Sequence, residues 1–311
     1  MPQRFFNRID WVIFETHYLN TAITIIEMQK ITLLIHCKDQ KGIIAAVTNY
    51  IASIDGNIVY LDQHVDEDED VFFMRIECEF KNPKNDLKAL ESDFEQQLAA
   101  PFEMTWQLFT QEQKPKMAIF VSKYDHCLYD VLGRYRANEL PLEISVIISN
   151  HRDLEPVAQQ FGIPFYHVPF TKEIKVKGEE QQLEILHKYE IDFIVLARYM
   201  QIITPNLIAR YKNRIINIHH SFLPAFPGAK PYHSAFKRGV KIIGATSHYV
   251  TEELDEGPII EQDIARVSHS HSIEDFITKG RDVERMVLAR AVKLHAEHKT
   301  MVYNNKTVVF L

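Results

Sequence analysis

The sequence has few cysteines, no excess of positive charge and no long apolar segment, and each absence narrows its possible roles. Three cysteines (Cys37, Cys78 and Cys127) without metal-ligand spacing indicate reduced thiols in a cytoplasmic protein. With 35 basic and 42 acidic residues, a nucleic-acid-binding surface is not expected. No apolar run approaches the ~20 residues of a membrane-spanning helix. At 311 residues, the chain is long enough for two domains.

The first 28 residues differ in pattern from the remainder of the chain. They are fairly apolar, but Glu15, His17 and Asn20 interrupt them, and no small-residue cleavage site of a signal peptide follows. Regular patterning begins only after Met28. We therefore expect residues 1–28 to be an N-terminal extension outside the fold, with Met28 as an alternative start.

Residues 29–109 have the pattern of a ferredoxin-like domain. Strands are predicted at Lys30–Cys37, Gly56–Val65, Val71–Phe80 and Phe102–Phe109, and helices at Ile43–Ser53 and Asn82–Ala99. The resulting order, βαββαβ, is that of the ferredoxin-like unit. The polar segment 110–116, with its single proline, is predicted to be a linker.

Residues 117–311 alternate apolar strands with helices, which indicates an α/β domain with a doubly wound, mostly parallel sheet. Strands are predicted at Met117–Ser122, Glu143–Ser149, Pro164–Val168, Ile191–Leu196, a segment ending at Asn217, Val240–Thr246 and Met301–Leu311. Helices are predicted at Asp125–Asn138, Leu154–Phe161, Gln181–Tyr189, Pro205–Tyr211 and Ser272–His298. In the last helix, the solvent face is predicted to carry Asp282, Glu284 and Arg285.

The strand that ends at Asn217 supplies the best candidates for catalysis. Alternation places Asn217 and His219 on the same side of the chain, and an acidic turn further along supplies Asp255. An amide and a protonated imidazole stabilise an oxyanion on a carbonyl by ~3–4 kcal/mol per donor. A nearby carboxylate keeps the imidazole protonated or takes a proton from water. The sequence has no serine or cysteine elbow, which favours attack by water or an amine.

Each of these residues also has a purely structural interpretation. Asn217 fits a residue that ties down a loop, His219 a buried core histidine, and Asp255 the start of a Gly-Pro turn. A metal site is a further alternative, with His219, His220, His233 and His248 as ligands. These histidines have none of the usual zinc spacings and no cysteine joins them, so we expect no metal.

Residues 29–109 resemble the ACT domains, small regulatory modules that bind amino acids. The resemblance rests on the order of elements, the turn Asp39-x-x-Gly42 before the first helix, and Asn57 at the second strand. It implies that Asp39, Gly42 and Asn57 contact an effector whose carboxylate is held by backbone N–H groups. The alternative is a tight turn in a domain that only mediates association.

A second resemblance covers the remainder of the chain and is more specific. The motifs are Asn217-Ile218-His219, Ser221-x-Leu223-Pro224, Pro227-Gly228, His248-x-Val250-Thr251 and Leu254-Asp255-x-Gly257-Pro258. They resemble the signature of the folate-dependent formyltransferase family, whose members use 10-formyltetrahydrofolate. The resemblance implies that Asn217 and His219 hold the formyl oxygen and that Asp255 is general base and proton shuttle. It also implies folate contacts at Arg198, Tyr199, Met200, Gln201, Ile202, His248, Val250 and Leu254.

The loop after the first strand of this domain bears on the acceptor of the formyl group. In the glycinamide ribonucleotide enzymes of this family the loop is rich in Gly, Ser and Asn, whereas Val121–Leu128 here contains no glycine to wrap a phosphate. An ACT-like domain, a formyltransferase-like core and no phosphate loop together resemble the formyltetrahydrofolate deformylases. That resemblance implies hydrolysis of 10-formyltetrahydrofolate to formate and tetrahydrofolate, with no cofactor besides the folate substrate.

The same resemblance implies regulation by amino acids. Methionine is the implied activator and glycine the implied inhibitor, and pairing of ACT-like sheets implies a homo-oligomer. Two rival interpretations stay open at this point. One is a formyltransferase to an amine acceptor, although a tRNA acceptor requires a basic surface that the composition lacks. The other is a non-catalytic amino-acid sensor.

Overall fold

The computed structural model describes residues 29–80, 87–110, 114–169, 175–225 and 231–311. The predicted N-terminal extension lies outside these ranges, as do residues 111–113 of the predicted linker and the motif Pro227-Gly228. Among the helices of the described ranges, none combines the length and the apolar composition needed to cross a bilayer.

The first domain is the expected βαββαβ unit. Its elements are β1 (Gln29–Lys38), α1 (Ile43–Ser53), β2 (Gly56–Asp66), β3 (Val71–Phe80), α2 (Leu87–Phe94) and β4 (Thr105–Thr110). A π-helical turn, Glu95–Ala99, extends α2. The strands form an antiparallel sheet in the order β2-β3-β1-β4, and one face of it packs against the helices.

The second domain is a seven-stranded sheet with helices on both faces. Its strands are β5 (Lys116–Val121), β6 (Glu143–Ser149), β7 (Phe165–His167), β8 (Phe193–Ala197), β9 (Ile215–His219), β10 (Ile242–Tyr249) and β11 (Ile259–Arg266). Its helices are α3 (His126–Arg136), α4 (Glu155–Gln160), α5 (Lys175–Lys188), α6 (Pro205–Arg210), α7 (Pro231–Arg238) and α8 (Ile273–Ala296). The order is β11-β10-β9-β8-β5-β6-β7, in which β10 runs antiparallel to both of its neighbours.

Three strand predictions required correction. The strand predicted to end at Asn217 continues to His219. The edge strand β11 was not predicted, because polar residues interrupt its apolar pattern on the half-exposed face. The predicted strand Met301–Leu311 is a hairpin of β12 (Thr300–Tyr303) and β13 (Lys306–Val309), which turns at Asn304 with a left-handed φ of 51°.

Helix α8 carries a buried acidic residue that the sequence pattern placed in solvent. Asp282 is exposed and Arg285 partly exposed, as that pattern predicts, and the two side chains form an ion pair. The prediction for Glu284 was wrong, because this residue is only 1% exposed. Helical spacing assigns a charged residue to the solvent face and takes no account of partners from other segments.

The carboxylate of Glu284 is the meeting point of three other segments. It accepts hydrogen bonds from Tyr232 Oη at 2.5 Å and His126 Nε2 at 2.9 Å, and lies 3.4 Å from Arg198 Nε. Burial acts to raise the pKa of Glu284, but the hydrogen bond from His126 and the charge of Arg198 outweigh burial and lower it. Gly280 allows this arrangement, since a Cβ there would lie 2.2 Å from the Tyr232 ring.

Replacement of Glu284 by alanine is expected to destabilise the fold by about 3–5 kcal/mol, because it leaves the buried Arg198 guanidinium without its carboxylate. Asp282→Ala is the matched control on the same helix, and its loss should be about 0.5 kcal/mol, since its ion pair is at the surface. Urea unfolding followed by circular dichroism measures both changes. Equal losses in the two variants would contradict a structural role for the Glu284 carboxylate.

Candidate active site

The end of β9 places two polar side chains at the carboxyl edge of the parallel strands. Asn217 and His219 lie two residues apart on β9, and Asn217 is paired in register with Leu196 of β8. Alternation along the strand directs both side chains to the same face of the sheet. Ligands of open α/β sheets bind at this carboxyl edge, so both residues occupy a position suited to substrate contact.

A turn after β10 brings the carboxylate of Asp255 to His219. His219 Nδ1 lies 3.2 Å from Asp255 Oδ1, with the imidazole almost fully buried and the carboxylate partly exposed. The ionised carboxylate only accepts hydrogen bonds, so Nδ1 is the nitrogen that carries the proton in this pair. The opposite ring nitrogen, Nε2, is buried and has no hydrogen-bond partner among the described residues. One imidazole nitrogen is therefore held by Asp255, and the other is left for a different partner.

His248 orients the side-chain amide of Asn217. The two residues face each other across the antiparallel pair of β9 and β10. His248 Nδ1 lies 2.9 Å from the carbonyl oxygen of Tyr249 and donates to it, so Nε2 of the neutral ring accepts from Asn217 Nδ2 at 3.2 Å. This bond uses one N–H of the Asn217 amide and leaves the second N–H to donate elsewhere.

The turn that carries Asp255 is held by close backbone packing. Asp255 itself has a left-handed φ of 60°. The backbone N–H of Tyr249 donates to the carbonyl of Pro258 at 2.9 Å. Gly257 lies so close to the Tyr249 carbonyl that a Cβ would approach its oxygen to 1.8 Å, so only glycine fits.

The electrostatic environment keeps Asp255 ionised. Partial burial acts to raise its pKa, but the hydrogen bond and positive charge of His219 oppose burial, and the pKa lies well below its usual value. The pKa is depressed, so the pair stabilises the fold at neutral pH, and this contribution is lost only as the pH falls through the acidic range. A carboxylate that is ionised at neutral pH is able to accept a proton from water.

The segment predicted to line the folate pocket has mixed exposure. Met200, Ile202 and Leu254 are large apolar residues in solvent, and Gln201 and Val250 are half-buried. Such exposed apolar side chains suit the face of a pterin ring. The Tyr199 side chain is instead packed in the core, where its hydroxyl oxygen accepts a hydrogen bond from Gln182.

Arg198, the first predicted folate contact, points toward the buried carboxylate of Glu284. It has a left-handed φ of 61°, and its guanidinium lies over the ring of Tyr124 at 5.1 Å. The backbone N–H of Met200 donates to Ser122 Oγ at 3.0 Å, which ties this segment to the loop after β5. The loop without glycines therefore packs against the predicted folate segment through side chains.

Two contributions to the site were not predicted from the sequence. His248 was expected only as a folate contact, and its pairing with Asn217 follows from a strand register that the sequence pattern does not specify. Glu284 was assigned to solvent. The available signal for its burial was that Glu284 lies among the apolar residues Val283 and Val287 of the same helix, which are buried.

The predicted effector turn of the first domain has an open helix terminus. Gly42 precedes α1 with a left-handed φ of 95°, and no side chain caps the first turn of this helix. Asp39 lies in the same turn, where its N–H donates to the Asp70 carbonyl. Asn57 lies at the start of β2, as predicted. Uncapped N–H groups at a helix start attract carboxylates, so the binding of an effector at this turn stays a prediction that the geometry permits.

Comparisons with known proteins agree with both domains. Residues 115–292 match the formyl transferase family model, and residues 31–95 match the ACT domain model. A formyltetrahydrofolate deformylase of Synechocystis sp. is 53% identical over 279 residues, which cover 90% of this chain and 98% of that protein. The formyltetrahydrofolate deformylase of Escherichia coli is 41% identical over 283 residues, covering 91% of this chain and 99% of that protein.

Solved structures give the same assignment. A formyltetrahydrofolate deformylase from Pseudomonas syringae aligns with a TM-score of 0.88 at 45% identity, covering 93% of this chain and 96% of that chain. A glycinamide ribonucleotide transformylase from Symbiobacterium toebii is more distant, with a TM-score of 0.60, 28% identity and coverage of 66% and 98%. Near-complete coverage at high identity by the deformylases shows that this chain belongs to the formyltetrahydrofolate deformylase family.

Proposed function

We propose that this chain hydrolyses 10-formyltetrahydrofolate to formate and tetrahydrofolate, with Asn217, His219 and Asp255 as its catalytic residues. Family membership supplies the reaction. The hydrogen bond between His219 Nδ1 and Asp255 Oδ1, next to the oriented amide of Asn217, is the observation that supports these roles. The set contains one base and two donors, which is what the attack of water on an amide carbonyl requires.

The reaction begins with activation of water by Asp255. Its ionised carboxylate accepts a proton as the water oxygen forms a bond to the formyl carbon. The carbonyl π electrons move to the formyl oxygen, which becomes an oxyanion. Partial burial of Asp255 limits competing solvent and strengthens these interactions.

Asn217 and His219 stabilise the oxyanion. Asn217 donates the N–H that His248 leaves available, and the imidazolium form of His219 donates from Nε2, the nitrogen without a protein partner. Each donor is expected to lower the barrier by ~3–4 kcal/mol. His248 acts through Asn217 and is therefore a positioning residue.

The tetrahedral intermediate then breaks down to products. The electron pair of the oxyanion re-forms the carbonyl, and the bond between the formyl carbon and N10 breaks. Asp255 returns the proton to N10, which regenerates the carboxylate and releases tetrahydrofolate and formic acid. The formic acid loses a proton to solvent and leaves as formate, so atoms and charge balance. N10 is bonded to an aromatic ring, which makes it a better leaving group than an alkyl amine.

Water is the acceptor that the loop after β5 favours. Three side chains of this segment already contact other parts of the protein and are not available to bind an acceptor. His126 bonds Glu284, Tyr124 lies against the guanidinium of Arg198, and Leu128 is buried in the core. No glycine in this loop allows the backbone to wrap a phosphate. A transferase with a phosphorylated amine acceptor is therefore the weaker candidate. The reaction would supply formate for purine synthesis and balance the one-carbon folate pool.

Asp255→Asn is expected to reduce turnover by roughly a hundredfold or more, with folate binding within severalfold, because the amide keeps the shape but not the basicity. Formate release from 10-formyltetrahydrofolate, measured without any amine, reports the hydrolysis directly. The matched control is Glu252→Gln, which alters an exposed carboxylate on the same turn and should leave turnover unchanged.

Three results would contradict this account. Near-normal turnover of Asp255→Asn would remove Asp255 from the base role. Release of tetrahydrofolate that depends on an added amine, with a formylated amine as product and no formate, would favour a transferase. An inactive protein that binds amino acids would favour the sensor.

The ACT-like domain is proposed to regulate turnover through the turn before α1. Methionine is expected to activate the enzyme and glycine to inhibit it, with the effector carboxylate at the open helix terminus beside Gly42 and with Asp39 and Asn57 as neighbours. A homo-oligomer is expected on the same grounds.

Gly42→Val is expected to raise the half-maximal concentration of both amino acids by roughly tenfold or more, because a branched side chain disfavours the left-handed turn. Turnover is measured against effector concentration, relative to the effector-free rate of each variant. An unchanged response in Gly42→Val would place the effectors elsewhere.

A further inference from the structure

The C-terminal hairpin lies between the two domains. Met301 and Phe310 from its two ends pack in one apolar cluster with Leu34, Val71 and Phe73 of the first domain. On its other side, β13 packs against β11 of the catalytic sheet. The hairpin is therefore in contact with both domains along its length.

The tip of the hairpin is fixed to the ACT-like domain by aromatic packing. The ring of Tyr303 makes edge contacts with His36 and Phe73, each at 5.5 Å between ring centroids. Next to it, Lys306 pairs with Asp66 at the end of β2, with Nζ and Oδ2 separated by 3.4 Å. This pair is exposed on the lysine side and contributes little, so the rings hold the tip in place.

The same tip touches the turn that carries the proposed base. Asn305 Nδ2 donates a hydrogen bond of 2.9 Å to the backbone carbonyl of Glu256, the residue directly after Asp255. This carbonyl belongs to the chain between Asp255 and Gly257, which packs closely against Tyr249. The turn is thereby held from two sides, by Tyr249 within the catalytic sheet and by Asn305 from the hairpin.

We propose that Asn305 is a positioning residue for Asp255, which ties the catalytic turn to the hairpin tip that packs on the ACT-like domain. The inference rests on the proposed role of Asp255 as base. Asp255 has a left-handed backbone, a conformation that non-glycine residues adopt only when their surroundings hold them there. Fixing the Glu256 carbonyl limits rotation of this backbone and so keeps the carboxylate aligned with His219.

Removal of the Asn305 side chain is expected to lower the rate only moderately, because Asn305 gives the turn one hydrogen bond and this bond is exposed. Loss of this bond loosens the turn without removing Asp255, and misplacement of a catalytic group lowers the rate of the chemical step. Asn305→Ala and the isosteric Asn305→Asp should each reduce kcat by roughly three- to tenfold, with a smaller change in KM. Lys306→Gln is the matched control at the same tip and should keep kcat within about twofold.

A double-mutant cycle separates positioning from general destabilisation. If Asn305 acts through Asp255, adding Asn305→Ala to Asp255→Asn should change residual single-turnover formate release by less than about twofold. Thermal unfolding of every variant shows whether the fold is intact. Asn305→Asp supplies a second test should the alanine variant unfold.

Three other results would overturn the inference. An equal fold-loss in the wild-type and Asp255→Asn backgrounds would overturn the positioning role. Wild-type kcat in both Asn305 variants, with Asp255→Asn inactive, would overturn the inference and leave the proposed function intact. Near-normal turnover of Asp255→Asn would overturn the base role, and with it this inference.

Discussion

The hydrogen bond between His219 and Asp255 is the interaction on which the proposed active site depends. It joins the end of a parallel strand to a turn that follows a different, antiparallel strand. Because this bond uses Nδ1 of the ring, Nε2 has no hydrogen-bond partner among the described residues. Because Asp255 accepts the bond, its carboxylate stays ionised. The close packing of Gly257 on Tyr249 and the bond from Asn305 preserve the geometry of that turn.

Helix α8 connects this site to the remainder of the molecule. Near its middle, Glu284 holds the loops after β5 and β8 and the start of α7. At its carboxyl end, the buried Arg75 of the ACT-like domain donates hydrogen bonds to the carbonyls of Glu297 and His298. A cation at a helix carboxyl end satisfies free carbonyls and complements the helix dipole. The two domains are thus joined at α8 and at the neighbouring hairpin.

Local patterns in the sequence were sufficient to predict much of the fold and to select the candidate catalytic residues. The bounds of α1 and β3 were predicted to the residue, because each has a clear period of apolar residues. Asn217 and His219 were selected because they lie at the end of a buried strand, and Asp255 because it precedes a Gly-Pro turn. Glu284, the His248–Asn217 pair and the hairpin contact of Asn305 were not, because each depends on segments distant along the chain.

The most direct test of the central claim is the tautomer of His219. Nitrogen NMR of isotope-labelled histidine in the resting enzyme distinguishes a protonated Nδ1 from an unprotonated one. The hydrogen bond to Asp255 predicts that Nδ1 carries a proton and that its resonance changes in Asp255→Asn. A neutral ring with its only proton on Nε2 would contradict the account, because Nδ1 would then have no proton to donate to Asp255.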